Sequence, residues 1–211
     1  MATRFYLSRD QSAAVSPAFG AWDVTTNALR RALLTAAAGG EALSNRSQLL
    51  SNNGLWFQFV SDGLAAQTVS GTIKIQSRCR DIDTSGDVTT RLLAKVVSED
   101  GGTLRGTLLA LGNYGPATFV SASARNKTIA DGDALSAVVA QAGDRLVIEL
   151  GFNNPSSDET TMSYGAPLAT SDLPENETET GALLPWIELS ANLVFAGGVN
   201  NAKNLLLLGV G

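Results

Sequence analysis

Histidine is absent from this sequence, and cysteine occurs once. The missing imidazoles remove the commonest general base, the usual partner of a nucleophilic Ser or Cys, and the commonest zinc ligand. The residues therefore predict a chain that is not an enzyme and that carries no cofactor. A lone Cys79 excludes a disulfide within the chain. It shares the parity of Ile73 and Ile75, so it is expected as a small core residue. Charge is scarce too, at 17% of residues with a net of −5. Nucleic acid requires a basic patch, and an anionic membrane surface attracts one, so neither is an expected partner. No apolar run approaches the roughly 20 residues of a membrane helix. The opening Met-Ala-Thr-Arg-Phe-Tyr-Leu lacks the charged-then-apolar pattern of a secretory leader. Synthesis in a cytoplasm is expected, and the Asn45, Asn126 and Asn176 sequons then carry no glycosylation signal.

What the sequence has is alternation. After the Gly143-Asp144 turn, Leu146, Ile148, Leu150 and Phe152 take one parity, and Arg145, Val147 and Glu149 the other. Side chains on a strand repeat every two residues, so this is a strand with one apolar and one mixed face. Leu55–Val60, Thr68–Cys79, Thr90–Val97, Thr103–Leu111, Ala117–Ala124, Leu135–Ala140 and Pro185–Phe195 read as strands, with Gly, Asn and Asp turns between them. Residues 153–184 read as a long acidic connection. No strand–helix alternation appears, which excludes a Rossmann or barrel α/β plan. Hydrophobic residues make up 44% of 211, enough for a core. The expected fold is all-β, an antiparallel, jelly-roll-like β-sandwich over residues 41–195. Residues 1–40 are expected as an extended N-terminal arm. Within them Thr26–Ala38 has helix-friendly composition, and reads either as a short helix or as an arm or edge strand. Residues 196–211 form an apolar tail. Its Leu205, Leu206, Leu207 and Leu208 do not alternate, so both faces need cover. The run is either a final buried strand or a docking strand for a neighbour.

Three groups of residues suggest chemistry. Asp81, Asp83, Ser85 and Asp87, with Gly86, match the front of a calcium loop, but Leu92 stands where the closing bidentate Glu belongs. An ordinary polar loop explains them as well, and no metal is expected. Asp172, Glu175, Glu177 and Glu179 could supply a carboxylate pair for glycoside hydrolysis. They crowd one Pro-containing loop rather than opposite walls of a groove, which favours a solvated loop or an inter-subunit contact. Trp22, Trp56 and Trp186 could stack on sugars; Trp56 and Trp186 have outward parity, and a second core layer or an interface is the alternative.

Several stretches carry a family pattern: Thr3-Arg-Phe-Tyr-Leu7, Ser16-Pro-Ala-Phe19 with Trp22, and Phe59-Val-Ser-Asp-Gly-Leu-Ala-Ala-Gln-Thr-Val-Ser-Gly-Thr72. They continue with Leu104-Arg-Gly-Thr-Leu-Leu109, Ala140-Gln-Ala-Gly-Asp-Arg-Leu-Val-Ile-Glu-Leu-Gly151, and Asp172-Leu-Pro-Glu-Asn-Glu-Thr-Glu-Thr180 leading into Pro185-Trp-Ile-Glu-Leu-Ser190. Over most of residues 1–195 the chain resembles small β-sandwich structural proteins of tailed bacteriophages. That resemblance implies a virion component made in the bacterial host cytoplasm, and transfers no catalytic residues. The expected role is a capsid decoration, or cement, protein bound to the major capsid protein of the head. The alternative is a tail, baseplate or fibre component with a receptor- or glycan-binding role. A homo-oligomer, with a trimer favoured, is expected. Phe5, Tyr6, Leu7, Phe19, Trp22 and Leu205 to Leu208 would supply apolar contact, and Arg30 and Arg31 would pair with acidic capsid loops.

Overall fold

The computed structural model describes residues 1–49, 52–81, 88–115, 125–155, 159–168, 170–175 and 183–197. The described chain is all-β. Its strands are β1 (Thr3–Ser12), β2 (Leu29–Leu34), β3 (Ser44–Leu49), β4 (Asn52–Gly63), β5 (Gln67–Asp81), β6 (Thr89–Val97), β7 (Leu104–Asn113), β8 (Arg125–Ala140), β9 (Arg145–Asn154), β10 (Glu159–Tyr164) and β11 (Trp186–Leu189). They form one sheet in the order β3-β10-β5-β11-β1-β2-β4-β9-β6-β7, with β8 also on β5. The named pairings are antiparallel except β2 with β4.

Strand β5 organises half of this sheet. Ile75 pairs with both Ile187 and Ile129, and Cys79 with both Met162 and Arg125. Strands β11 and β10 therefore follow one another along one side of β5, and β8 runs along the other. The sheet folds over itself: a Cβ on Gly106 of β7 would lie 2.8 Å from Val138 of β8. Between the layers lie Phe5, Leu7, Phe57, Phe59, Ile73, Ile75, Leu92, Ile148, Leu150 and Ile187, all buried. These are the alternating apolar positions, which explains why this face packs as a sandwich. Cys79 lies in the same core, and burial raises its thiol pKa to about 12.

Three sequence expectations change, and one open reading resolves. Residues 1–40 are not an arm, since Phe5, Leu7 and Leu33 lie in the core on β1 and β2. Of the two readings of Thr26–Ala38, the strand holds and the helix does not: Leu29–Leu34 form β2, paired on both sides rather than at an edge. A Thr25–Ala28 turn, with Asn27 at φ 68°, precedes it, and pairing with β4 overrides the helix-friendly composition. Residues 153–184 contain β10, whose Thr160, Thr161 and Ser163 are buried despite their polarity. Pro185–Phe195 is a strand only through Leu189. Beyond it Leu193 N–H bonds Thr3 Oγ1, and the Phe195 ring meets Phe5 edge-on at 6.1 Å. Ala117–Ala124 and the leucine tail lie outside the described residues.

Candidate functional site

The outer face of β2, β4, β9 and β6 carries a buried polar cluster. Arg30 pairs in register with Gln58, and Gln58 with Glu149, so the three form a row across adjacent strands. Lys95 approaches from β6. Glu149 is fully buried, and its carboxylate accepts four hydrogen bonds. Oε1 takes Lys95 Nζ at 2.8 Å and Gln58 Nε2 at 2.9 Å. Oε2 takes Trp22 Nε1 at 2.7 Å and the Gly20 N–H at 2.9 Å. A buried charge is tolerable when paired and hydrogen-bonded in this way. The segment before β2 approaches closely at Gly20, where a Cβ would lie 2.8 Å from Leu93 Cδ1 and 3.1 Å from Glu149 Oε2.

This cluster fastens the segment before β2 onto the sheet. Lys95 Nζ also donates to Ala18 O at 2.6 Å, and Gln58 Nε2 to Pro17 O at 3.2 Å. The Arg30 guanidinium lies 4.0 Å over the Phe19 ring and donates through Nε to Gln58 Oε1 at 2.9 Å. Beside the cluster, Val60, Val97 and Val147 pack under Ala13 and Val15. With all four lone-pair sites occupied, Glu149 anchors a covering segment and has none free to take a proton from a substrate.

Of the residues expected to contact a partner, the structure thus gathers Phe19, Trp22 and Arg30, but sets them against their own chain. Trp22 is 8% exposed, and Arg30 is engaged within its own chain. Phe5 and Leu7 are wholly buried, while Tyr6 and Arg31 are half-buried. Arg31 Nε donates to Arg9 O. Leu205 to Leu208 lie outside the described residues. Sequence reasoning placed Glu149 on a mixed face but missed Gln58 and Lys95 as its partners. The available signal was a single Lys in Leu92-Leu-Ala-Lys-Val-Val97, polar at a position whose neighbours are all apolar.

The tryptophans are not a surface platform. Trp56 is wholly buried because a register shift between Leu55 and Phe57 breaks the parity, and its ring meets Phe152 at 4.6 Å. Trp186 is 1% exposed beneath the acidic segment, where Nε1 donates to Leu173 O and Arg4 lies 3.9 Å over the ring. The described part of the acidic segment, through Glu175, folds back on its own sheet. Asp172 pairs with Arg4 at 2.8 Å, and Glu175 with Lys74 at 2.7 Å. Glu177, Glu179, Asp83, Ser85 and Asp87 lie outside the described residues, as does the Asp81 side chain. Among the described residues no cluster of metal-ligating side chains occurs.

Several large apolar side chains are exposed. Leu104 is 57% exposed, Val139 71% and Val194 54%. They flank a common turn, residues 140–144. Val139 immediately precedes it, and Arg105, next to Leu104, bonds Gln141 and Asp144. Val194 bonds Gln67, which pairs with Ala140.

No family model and no curated protein matches the sequence. Among solved structures the chain is similar to an α-amino acid ester hydrolase, at 10% identity and a TM-score of 0.43, over 90% of this chain and 36% of that one. A CocE/NonD family hydrolase from Staphylococcus aureus gives 10% identity and 0.38, over 90% and 41%. Infectious bursal virus derived T=1 particles give 10% and 0.27, over 85% and 42%. The chain spans less than half the length of each. The expectation that it is not an enzyme, drawn from the missing histidines, is withdrawn because hydrolases stand among these neighbours. Likenesses this distant transfer no activity.

Proposed function

We propose that this chain is a structural component of a tailed-bacteriophage virion, a decoration protein that binds the assembled head. The observation that supports this reading is the exposure of Leu104, Val139 and Val194 on elements that meet near the 140–144 turn. Exposed apolar groups of this size are what association with another protein buries. The leucine run, Leu205 to Leu208, follows these strands in sequence. The partner is the major capsid protein, and the chain itself is a homotrimer. A protein that binds the assembled shell and not its free subunits stabilises the shell by mass action.

The sheet supplies a rigid base for such a contact, because β7, β8 and the 140–144 turn are fixed by the Arg105–Asp144 ion pair and the core behind them. Burying a Leu or Val side chain contributes about 1.5–3 kcal/mol. Charge at two of the three positions is therefore expected to weaken head binding at least about a hundredfold. The test is co-sedimentation of Leu104→Glu/Val139→Glu with phage heads, alongside circular dichroism to confirm the fold. Undiminished binding by a folded double variant would overturn the assignment of this surface.

A further inference from the structure

A second feature, which shares Leu104 with the proposed head contact but does not rest on it, is a cleft of about 290 Å³ on the outer face of β6 and β7. Phe19, Leu93, Val97 and Leu104 supply its apolar lining, and Lys95 and Thr107 its polar groups. Lys95 is 7% exposed. An ammonium group has three N–H donors. Ala18 O takes one and Glu149 Oε1 another, and no other acceptor bonds Lys95 among the described residues. One donor thus remains for an acceptor within the cleft, while Glu149 already balances the charge.

We propose that this cleft binds a small, uncharged apolar molecule carrying one hydrogen-bond acceptor, of the class of aryl ketones and aryl esters. The apolar walls take the ring, and the remaining Lys95 N–H donates to the carbonyl oxygen. An apolar cavity of about 150 Å³ takes benzene, so the space here suits one ring with a short substituent. The ion pair with Glu149 removes the gain that a free lysine would offer a carboxylate.

The test uses the full chain with 13C-labelled Leu and Val methyl groups and three probes of one shape: acetophenone, ethylbenzene and benzoate. Acetophenone is expected to shift the Leu93, Val97 and Leu104 methyl signals saturably. Ethylbenzene, which lacks the acceptor, is expected to bind about tenfold more weakly, and benzoate no more tightly than acetophenone. Thr107 is exposed, so Thr107→Trp should fill the cleft and abolish the shifts while leaving the remaining methyl spectrum in place. Absence of saturable shifts with acetophenone overturns the site. Equal binding of ethylbenzene overturns the Lys95 contact, tighter binding of benzoate overturns the neutrality argument, and binding retained by folded Thr107→Trp overturns the location.

Discussion

Lys95→Met is the sharpest perturbation of the cluster beneath the covering segment. It keeps most of the aliphatic stem and removes the ammonium. Glu149 then stays wholly buried with Gly20, Trp22 and Gln58 as neutral donors and no countercharge. Removing one partner of a buried pair costs about 3–5 kcal/mol. Glu149→Gln is expected to cost a similar amount, because it strands the Lys95 charge and turns one acceptor position into a donor facing other donors. The double variant has no unpaired charge, so its cost should fall short of the sum of the singles by about 2 kcal/mol or more. Such changes are a large share of the roughly 5–15 kcal/mol of a typical domain. Guanidinium chloride unfolding reads them as shifts in midpoint at constant slope. Single variants that cost less than about 1 kcal/mol, or costs that simply add, would refute the role given to this pair.

Two further outcomes follow from the core. A Cβ on Gly151 would lie 2.0 Å from Gly54 O and 2.8 Å from Trp22 Cζ3, so Gly151→Ala must push β4 and β9 apart. It is expected to destabilise by about 3 kcal/mol or more in the same unfolding assay, and a loss within about 0.5 kcal/mol would contradict the close approach of these strands. The Cys79 thiol, buried and raised to about 12, should resist a disulfide reagent at about pH 8 in the native protein and react at once in denaturant. Rapid native labelling would place the thiol outside the core.

Much of the sandwich was legible because its inner face follows a period of two. The alternation in β9 and β5 named Leu146, Ile148, Leu150, Ile73 and Ile75 as core, and all are buried. Strands β1 and β2 were hidden because their apolar residues are diluted by Arg, Ser and Asp, and because Leu and Ala favour a helix until pairing decides otherwise. Strand β10 was hidden by its polar Thr and Ser, which sequence pattern alone assigns to a loop. The outer-face cluster was harder still. Parity marks Gln58, Lys95 and Glu149 as outward, and outward ordinarily means solvated. What buries them is a covering segment that returns from far away in the sequence, a contact no local pattern encodes. The same cause misplaced Trp186, which lies beneath the acidic segment. Trp56 failed for a local reason, a bulge that reverses parity by one residue.

The most direct measurement is co-sedimentation of the purified wild-type protein with isolated phage heads and, separately, isolated tails, counting bound copies. The account predicts saturable binding to heads at a copy number set by the shell lattice, and none to tails. A few copies on tails with none on heads, or binding to neither, would contradict it.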